Sequence, residues 1–331
     1  MKTSVPLLSS PRMSRQVGLT LVELMVALAL GLLVAAASVA ALIVARQGFT
    51  SVDSNSQLRE NSRFAASLIQ RISVQAGFEN AAYGLFTDPK DPGLAGFDNA
   101  VVTTASLPGG LAHNNRDSGC GTVTDTSCVN GSDVLIVRYW GVSRAGVADG
   151  TMINCAGQAE PERPATDPDP RAYSIFHVVR SQSGEPTLAC SYRDVTTSTW
   201  TTVPLVSGVE GFQVLYGVDN VTPGAAPPAG ASGTDSVADR YLRAAQLDVA
   251  GNAVATQNNW RRVRTLRIGM VVRGPVADTV SRAGTAASVP VLGSGFVDSS
   301  DTGSLLTTAA DGRMRQSLVF TVHLRNAQYA P

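Results

Sequence analysis

Apolar and polar positions alternate on three different rhythms along this 331-residue chain. From Leu19 to Ala45, 27 residues run almost continuously apolar, with Glu23 the only charge, Gly31 the only glycine and no proline. As a helix at ~1.5 Å per residue, the run reaches roughly 40 Å and crosses a bilayer core of about 30 Å. From Arg46 to Gly77 the apolar residues thin out to three- and four-residue intervals: Leu58, Phe64 with Ala65, Leu68 with Ile69, Ile72 and Ala76. Arg59, Glu60, Arg63, Gln70 and Arg71 fall on the other faces, the spacing of an amphipathic helix. One helix from Leu19 to about Ala76 is expected, ~85 Å long by its rise, with Gly48 as its weak point.

Beyond Glu79, proline and glycine become frequent and the apolar residues gather in short β-type runs. Strands are expected at Asp133–Trp140, Tyr173–Arg180, Thr187–Arg193, Val209–Val218, Val263–Arg273 and Gln316–Arg325. Long loops are expected at Gly157–Pro170 and Val221–Ser236. The expected fold class is α+β, with an antiparallel-sheet head packed on the amphipathic half of the helix. The corresponding divisions are a leader at 1–18, a membrane half of the helix at 19–45, an amphipathic half at 46–78 and a globular head at 79–331.

Charge refines the picture at the N-terminus. Met1 to Gly18 carries Lys2, Arg12 and Arg15 and no acid. Basic residues favour the cytoplasmic side, although Arg46, Arg59 and Arg63 beyond the span make that bias modest. The cysteines and the bulky C-terminal region argue for export. A cleaved secretory signal has an apolar core of about 7–15 residues, shorter than this one, even though Ala35-Ala36-Ala37-Ser38 imitates its cut site. Glu23 is costly: an acid at the centre of a membrane helix costs about 2.5–3.5 kcal/mol, and less near an end. One account is a carboxylate that snorkels to the interface. The other is that a cut after Gly18 frees an amine at Leu19, and in a packed assembly Glu23 of one subunit neutralises the new N-terminus of its neighbour.

Gly18 followed by Leu19-Thr20-Leu21-Val22-Glu23-Leu24 resembles the class III leader junction of type IV prepilins and type II secretion pseudopilins. In that family a membrane aspartic peptidase cuts after the glycine and methylates the new N-terminus. The resemblance makes Gly18 the residue before the cut, Leu19 the N-methylated first residue and Glu23 the assembly glutamate. Leu19 stands where phenylalanine is commoner, and the span lacks the mid-helix proline of many major pilins. Met13 is a second candidate start, which would leave a six-residue leader. In the head, Gly131–Tyr139, Thr187-Leu188-Ala189-Cys190, Val209–Asp219 and Val319–Asn326 resemble one branch of the family, the minor pilins called PilW. That resemblance implies cleavage by prepilin peptidase and assembly with other minor pilins to prime the growth of a type IV pilus. It also implies contacts with the major pilin, a tip adhesin, the inner-membrane assembly platform and the lipid bilayer. The implied location is the inner membrane with a periplasmic head, then the pilus fibre at its tip. A minor pseudopilin of a type II secretion system shares the same leader logic and is the alternative; a DNA-uptake pilin is a more remote one.

Removing the leader takes three of the 26 basic residues and leaves 23 against 26 acidic ones, so bulk charge does not point to nucleic acid and DNA is not an expected partner. Trp260-Arg261-Arg262-Val263-Arg264-Thr265-Leu266-Arg267 is the most basic cluster of the head; one reading sets it against DNA phosphates with Trp260 stacked on a base, and the favoured one is a strand entry with solvated or paired arginines. The four cysteines, Cys120, Cys128, Cys155 and Cys190, lack zinc-site spacing, and in an exported domain an even count reads as two disulfides. Sequential pairing, Cys120–Cys128 and Cys155–Cys190, needs the least topology; four reduced, buried thiols are the alternative. The histidines, His113, His177 and His323, form no metal or catalytic motif, no nucleophile elbow or phosphate loop occurs, and no cofactor or enzymatic activity is expected. Asp298-Ser299-Ser300-Asp301-Thr302-Gly303 has the oxygens of a calcium loop but no terminal glutamate, and reads as a polar turn.

Overall fold

The computed structural model describes residues 18–79, 92–102, 129–163, 171–228, 233–275 and 285–326. Helix α1 spans Leu21–Ser73. Two units meet within it, one ending at Val52 and one beginning at Asp53.

In the first unit, every described residue from Gly18 to Val52 outside Ser51 is exposed. Leu21, Leu32 and Phe49 keep about three quarters of their surface bare. Such a stretch satisfies all its backbone groups internally and leaves its side chains to another apolar medium. A Cβ at Gly31 or Gly48 would meet nothing, and Gly48 does not interrupt the helix.

In the second unit, α1 buries Leu58, Ala65, Ile69 and Ile72 at the three- and four-residue spacing expected of it. Phe64 is a correction: it faces outward, half exposed, while buried Ser62 turns its hydroxyl onto the Leu58 carbonyl. The helix also ends sooner than Ala76. Gln75 N and Ala76 N bond three residues back, and Gly77 adopts φ +69°, a tight turn that stops the helix.

The strands, in chain order, are β1 (Leu94–Phe97), β2 (Val134–Tyr139), β3 (Ser143–Arg144), β4 (Val147–Ala148), β5 (Ala172–Arg180), β6 (Pro186–Arg193), β7 (Trp200–Ser207), β8 (Val209–Val218) and β9 (Arg240–Leu242). Two helices follow, α2 (Ala244–Leu247) and α3 (Ala253–Arg261), and then β10 (Val263–Arg273), β11 (Ser288–Pro290), β12 (Leu305–Thr307) and β13 (Arg315–His323). They form two principal antiparallel sheets, ordered β1-β2-β5-β6-β7 and β13-β10-β8-β9. The division into two sheets was not visible in the strand pattern. One core, with Leu135, Phe176, Leu188, Phe212, Tyr216 and Ile268 fully or almost fully buried, takes side chains from both sheets and from α1. The first sheet buries its other face too, around Phe97, Ile136 and Ile175; for that reason β2 and β5 read as continuous apolar runs rather than alternating ones.

Strand β7 escaped the sequence reading because Pro204 interrupts it. The strand lies at a sheet edge, where a missing N–H costs no ladder bond. Gly208 alone separates β7 in the first sheet from β8 in the second. It adopts φ +88°, and a Cβ there would collide with the Arg273 carbonyl oxygen. Gly208 N donates to Pro186 O at 2.7 Å and Arg273 N donates to Gly208 O at 2.7 Å.

Around this joint lies an ion cluster. Glu185 accepts from Arg273 at 2.8 Å and Arg313 at 2.6 Å. Glu210 accepts from Arg273 at 2.9 Å and Arg315 at 2.6 Å, and Arg315 also reaches Asp311 at 2.8 Å. The Arg273 hydrogen bonds hold the Glu185 carboxyl down to about 2, and those of Arg315 do the same for Asp311.

The open side of β8 is closed by the segment before β2. Asp133 N donates to Phe212 O at 2.8 Å, Val214 N donates to the Asp133 carboxylate at 2.8 Å, and Phe212 N donates to Ser132 Oγ at 3.2 Å. Asp98 receives Ala244 N at 3.0 Å and Ala245 N at 2.8 Å and so holds the start of α2. Burial, with the nearby Asp301 charge, pushes Asp98 up to about 6 against the pull of these hydrogen bonds. Burial and the charges of Asp98 and Asp301 push Asp133 up as well.

Two outcomes follow from this packing. Cys155 and Cys190 are joined, with Cα atoms 6.0 Å apart and a sequence separation of 35; Cys190→Ala should lower the unfolding free energy of the head by about 3–4 kcal/mol, measured by denaturant titration. A carboxyl whose folded pKa is raised stabilises fully below its unfolded value, near 3.9, and that contribution is lost as pH rises through the folded value. Relative to the wild-type head, Asp98→Asn should therefore gain in melting temperature between pH ~5 and pH ~7.5; the comparison cancels the opposite contribution of buried His177, whose imidazole is driven down to about 4. Glu185 and Asp311 have depressed values, so their contribution is lost only under more acid conditions, below this window.

Candidate functional site

The N-terminal junction is built by Thr20. Its hydroxyl accepts Glu23 N at 3.2 Å and its carbonyl accepts Leu24 N at 3.1 Å, so Thr20 is the N-cap and the helix starts at Leu21. This corrects the expectation of a helix from Leu19. Leu19 and Gly18 precede the cap in non-helical backbone. Both are exposed, and a Cβ on Gly18 would meet nothing. Glu23 is the acid of the first helical turn, where the partial positive charge of the helix end favours a carboxylate. The exposed junction, the capped start and the acid one turn in occupy six consecutive residues. They are followed by exposed apolar side chains.

The head segments singled out in the sequence are brought together in pairs. Gly131–Asp133 and Phe212–Val214 form the side closure of β8, to which Gln213 adds a 2.6 Å bond to the Gly131 carbonyl. The end of the Val319–Asn326 segment returns to the helix: Asn326 Nδ2 donates to Val74 O at 3.3 Å and Ala76 O at 3.0 Å, satisfying carbonyls left open where α1 stops. Cys190, in the Thr187–Cys190 run, carries the disulfide to Cys155. Cys120 and Cys128 lie outside the described residues, as does His113.

The remaining candidate chemistry is absorbed into the fold. Trp260 lies in the last turn of α3 rather than opening a strand, is 2% exposed and packs edge-on against Tyr216 with ring centroids 4.6 Å apart. No nucleic-acid base can stack on it. The arginines were expected to be solvated or paired: Arg261 and Arg262 are buried rather than solvated, and Arg264 is paired. Arg261 bonds to Asn258 Oδ1 at 2.9 Å, Arg262 to Pro228 O at 2.8 Å, and Arg264 to the Asp219 carboxylate at 3.2 Å. The helical spacing that signals α3 is short and polar, so the charge run was the stronger sequence signal.

His177 Nε2 lies 2.9 Å from Ser191 Oγ, which lies 2.6 Å from Thr202 Oγ1. A serine–histidine contact resembles a nucleophile and its base. Here both residues are almost wholly buried, burial drives the imidazole down to about 4, and Nδ1 has no orienting acid among the described residues. The pair is a hydrogen bond inside the sheet. His323 is exposed at the end of β13. Asp298 accepts Ser300 N at 2.9 Å and Ser300 Oγ at 2.8 Å, and Gly303 N donates to Asp301: a polar turn. Among the described residues no cluster of histidine, cysteine and acidic side chains forms a metal site.

The family model for type IV pilus-assembly protein W matches residues 175–326, from within β5 to the Asn326 contact with the helix. The model for the prokaryotic N-terminal methylation motif matches residues 13–39, which include Gly18, Leu19 and Glu23. No curated protein matches the chain. Among solved structures, a type IV-like pilin from Thermus thermophilus aligns over 82% of this chain and 98% of its own, at 14% identity and a TM-score of 0.37. A methylation motif on an exposed apolar helix, followed by a head matched to the pilus-assembly protein W model from within β5 to Asn326, supports a type IV pilus minor pilin of the PilW family.

Proposed function

We propose that this minor pilin is cleaved between Gly18 and Leu19, N-methylated at Leu19, and assembled with other minor pilins to prime a type IV pilus. The observation that carries the reading is the uncovered apolar helix that begins, through the Thr20 cap, two residues after the processing junction. Before assembly the helix stores the subunit in the inner membrane at 19–45, with 46–78 and the head on the periplasmic side. Cleavage leaves Leu19 and Thr20 ahead of the first helical turn, and an axial offset of about one turn between neighbouring helices brings the new amine of one level with the Glu23 carboxylate of the next. Each group alone is costly in hydrocarbon, and removing one partner of such a pair strands the other. Glu23 is the assembly residue and has no catalytic part; the protein works by packing rather than by chemistry. Its partners are the peptidase, the other minor pilins, the major pilin and the assembly platform, with a tip adhesin at the distal end. The pairing of Cys120 with Cys128 belongs to the same proposal.

N-terminal sequencing and intact mass of the protein purified from its host membrane should give a chain starting at N-methylated Leu19. A start near Ser38, or an unprocessed N-terminus, would remove the basis of the proposal. Glu23→Ala should leave cleavage largely intact while surface pili fall sharply, measured by shear recovery; normal piliation would refute the pairing role. Deleting the protein should abolish pili and twitching without blocking exoprotein secretion.

A further inference from the structure

The ladder of β13 on β10 runs without a shift from Thr265↔His323 to Arg273↔Arg315. Hydrogen bonds from Leu324 N to Arg264 O and from Gly274 N to Met314 O bracket it and set its phase. In antiparallel pairing, residues that exchange bonds alternate with residues that do not. Arg315, Ser317, Val319, Thr321 and His323 therefore turn their N–H and C=O groups away from β10, at the end of the sheet order. No other long edge of the described residues is left this way. β7 carries Pro204 and its pairing with β6 has a register shift, β1 and β9 are four and three residues long, and the open side of β8 is closed by Ser132 and Asp133. Proteins block long edges with proline, bulges, charges or short length; β13 has no proline, lysine or bulge in nine residues. Its Leu318 and Phe320 pack on the core but are only half buried.

We propose that β13 is the docking edge for an extended strand from the head of a different pilin subunit, added antiparallel or parallel to the four-stranded sheet. This rests on the pilin reading above. The location favours a neighbouring pilin, because β13 leads into Asn326 and its bonds to the end of α1, so the edge is continuous with the helix on which pilin subunits pack. Charge favours a different chain over a second copy. His323 and Arg325 at the helix end are exposed with no acidic partner among the described residues. Antiparallel self-pairing centred on Val319 would set Arg325 of each copy against Arg313 of the other, where Glu185, Glu210 and Asp311 are already engaged by Arg313 and Arg315, so a second copy offers Arg325 no open carboxylate. The partner strand therefore carries an acidic residue facing Arg325, with apolar side chains beside Leu318 and Phe320.

The test uses the full chain in its host, with a photo-crosslinking amino acid at Ser317 and, as a control, at Thr202 on the proline-bearing edge. The expected result is an adduct from Ser317 alone, whose second chain, identified by mass spectrometry, carries a methylated pilin N-terminus. Thr321→Pro removes only an outward N–H and should cut the adduct by roughly fivefold or more while the head stays protease-resistant. Arg325→Glu, which leaves the ladder untouched, should weaken it as well and covers the case in which the proline variant does not fold. No adduct, an adduct with a second copy, or a yield unchanged in both variants would overturn the proposal. The N-terminal mass of the same sample separates the two readings: a processed chain without the adduct defeats the docking edge alone, whereas an unprocessed chain defeats the pilin reading.

Discussion

The head depends on how one residue lets the chain leave one sheet and enter another. Gly208 links β7 to β8 with no loop, and its backbone bonds to Pro186 in the first sheet and to Arg273 in the second. A backbone turn this tight, against a carbonyl that would meet any Cβ, admits only glycine. Once the joint is set, the carboxylates and guanidiniums near it have little choice of partner. Glu185 enters from the β5–β6 turn, Glu210 from β8, Arg273 from the end of β10, and Arg313 and Arg315 from the start of β13. A network with several two-point contacts loses less side-chain entropy per bond than isolated surface pairs, which are worth about 0–1 kcal/mol.

At the opposite side of β8 the same problem, an edge of unpaired backbone, is solved with side chains. Ser132 and Asp133 accept N–H groups that a strand would otherwise take, and Asn130 donates to the Glu210 carbonyl. The cost is a buried carboxylate near Asp98 and Asp301, which is why burial raises Asp98 and Asp133 together. The same groups fix α2, so one polar cluster ties β1, β2, β8 and α2 into a single unit.

The membrane-length half of α1 obeys a different constraint. Its described side chains are exposed, and an apolar helix of membrane length is stabilised by lipid or by other helices. Thr20 keeps the helix start defined on the first residues after the junction, and with it the position of Glu23 in the first turn.

Much of this was determined by the sequence. Val209–Val218 and Val263–Arg273 appear with the expected bounds, because long β-branched runs between turn residues admit few alternatives. The methylation motif was legible because Gly18 to Leu24 carry it contiguously, and the motif match covers those residues. The tertiary structure alone decided the rest. Pro204 concealed β7, since whether a proline breaks a strand depends on whether the strand is at an edge. Phe64 matched the helical period but faces out, because its spacing does not say where the sheets end. Trp260, Arg261 and Arg262 looked like a surface and are interior, for charge along a chain does not reveal which carbonyls will later surround it. Local chemistry fixes periods, caps and costly charges; pairing, edges and burial come from residues distant in sequence.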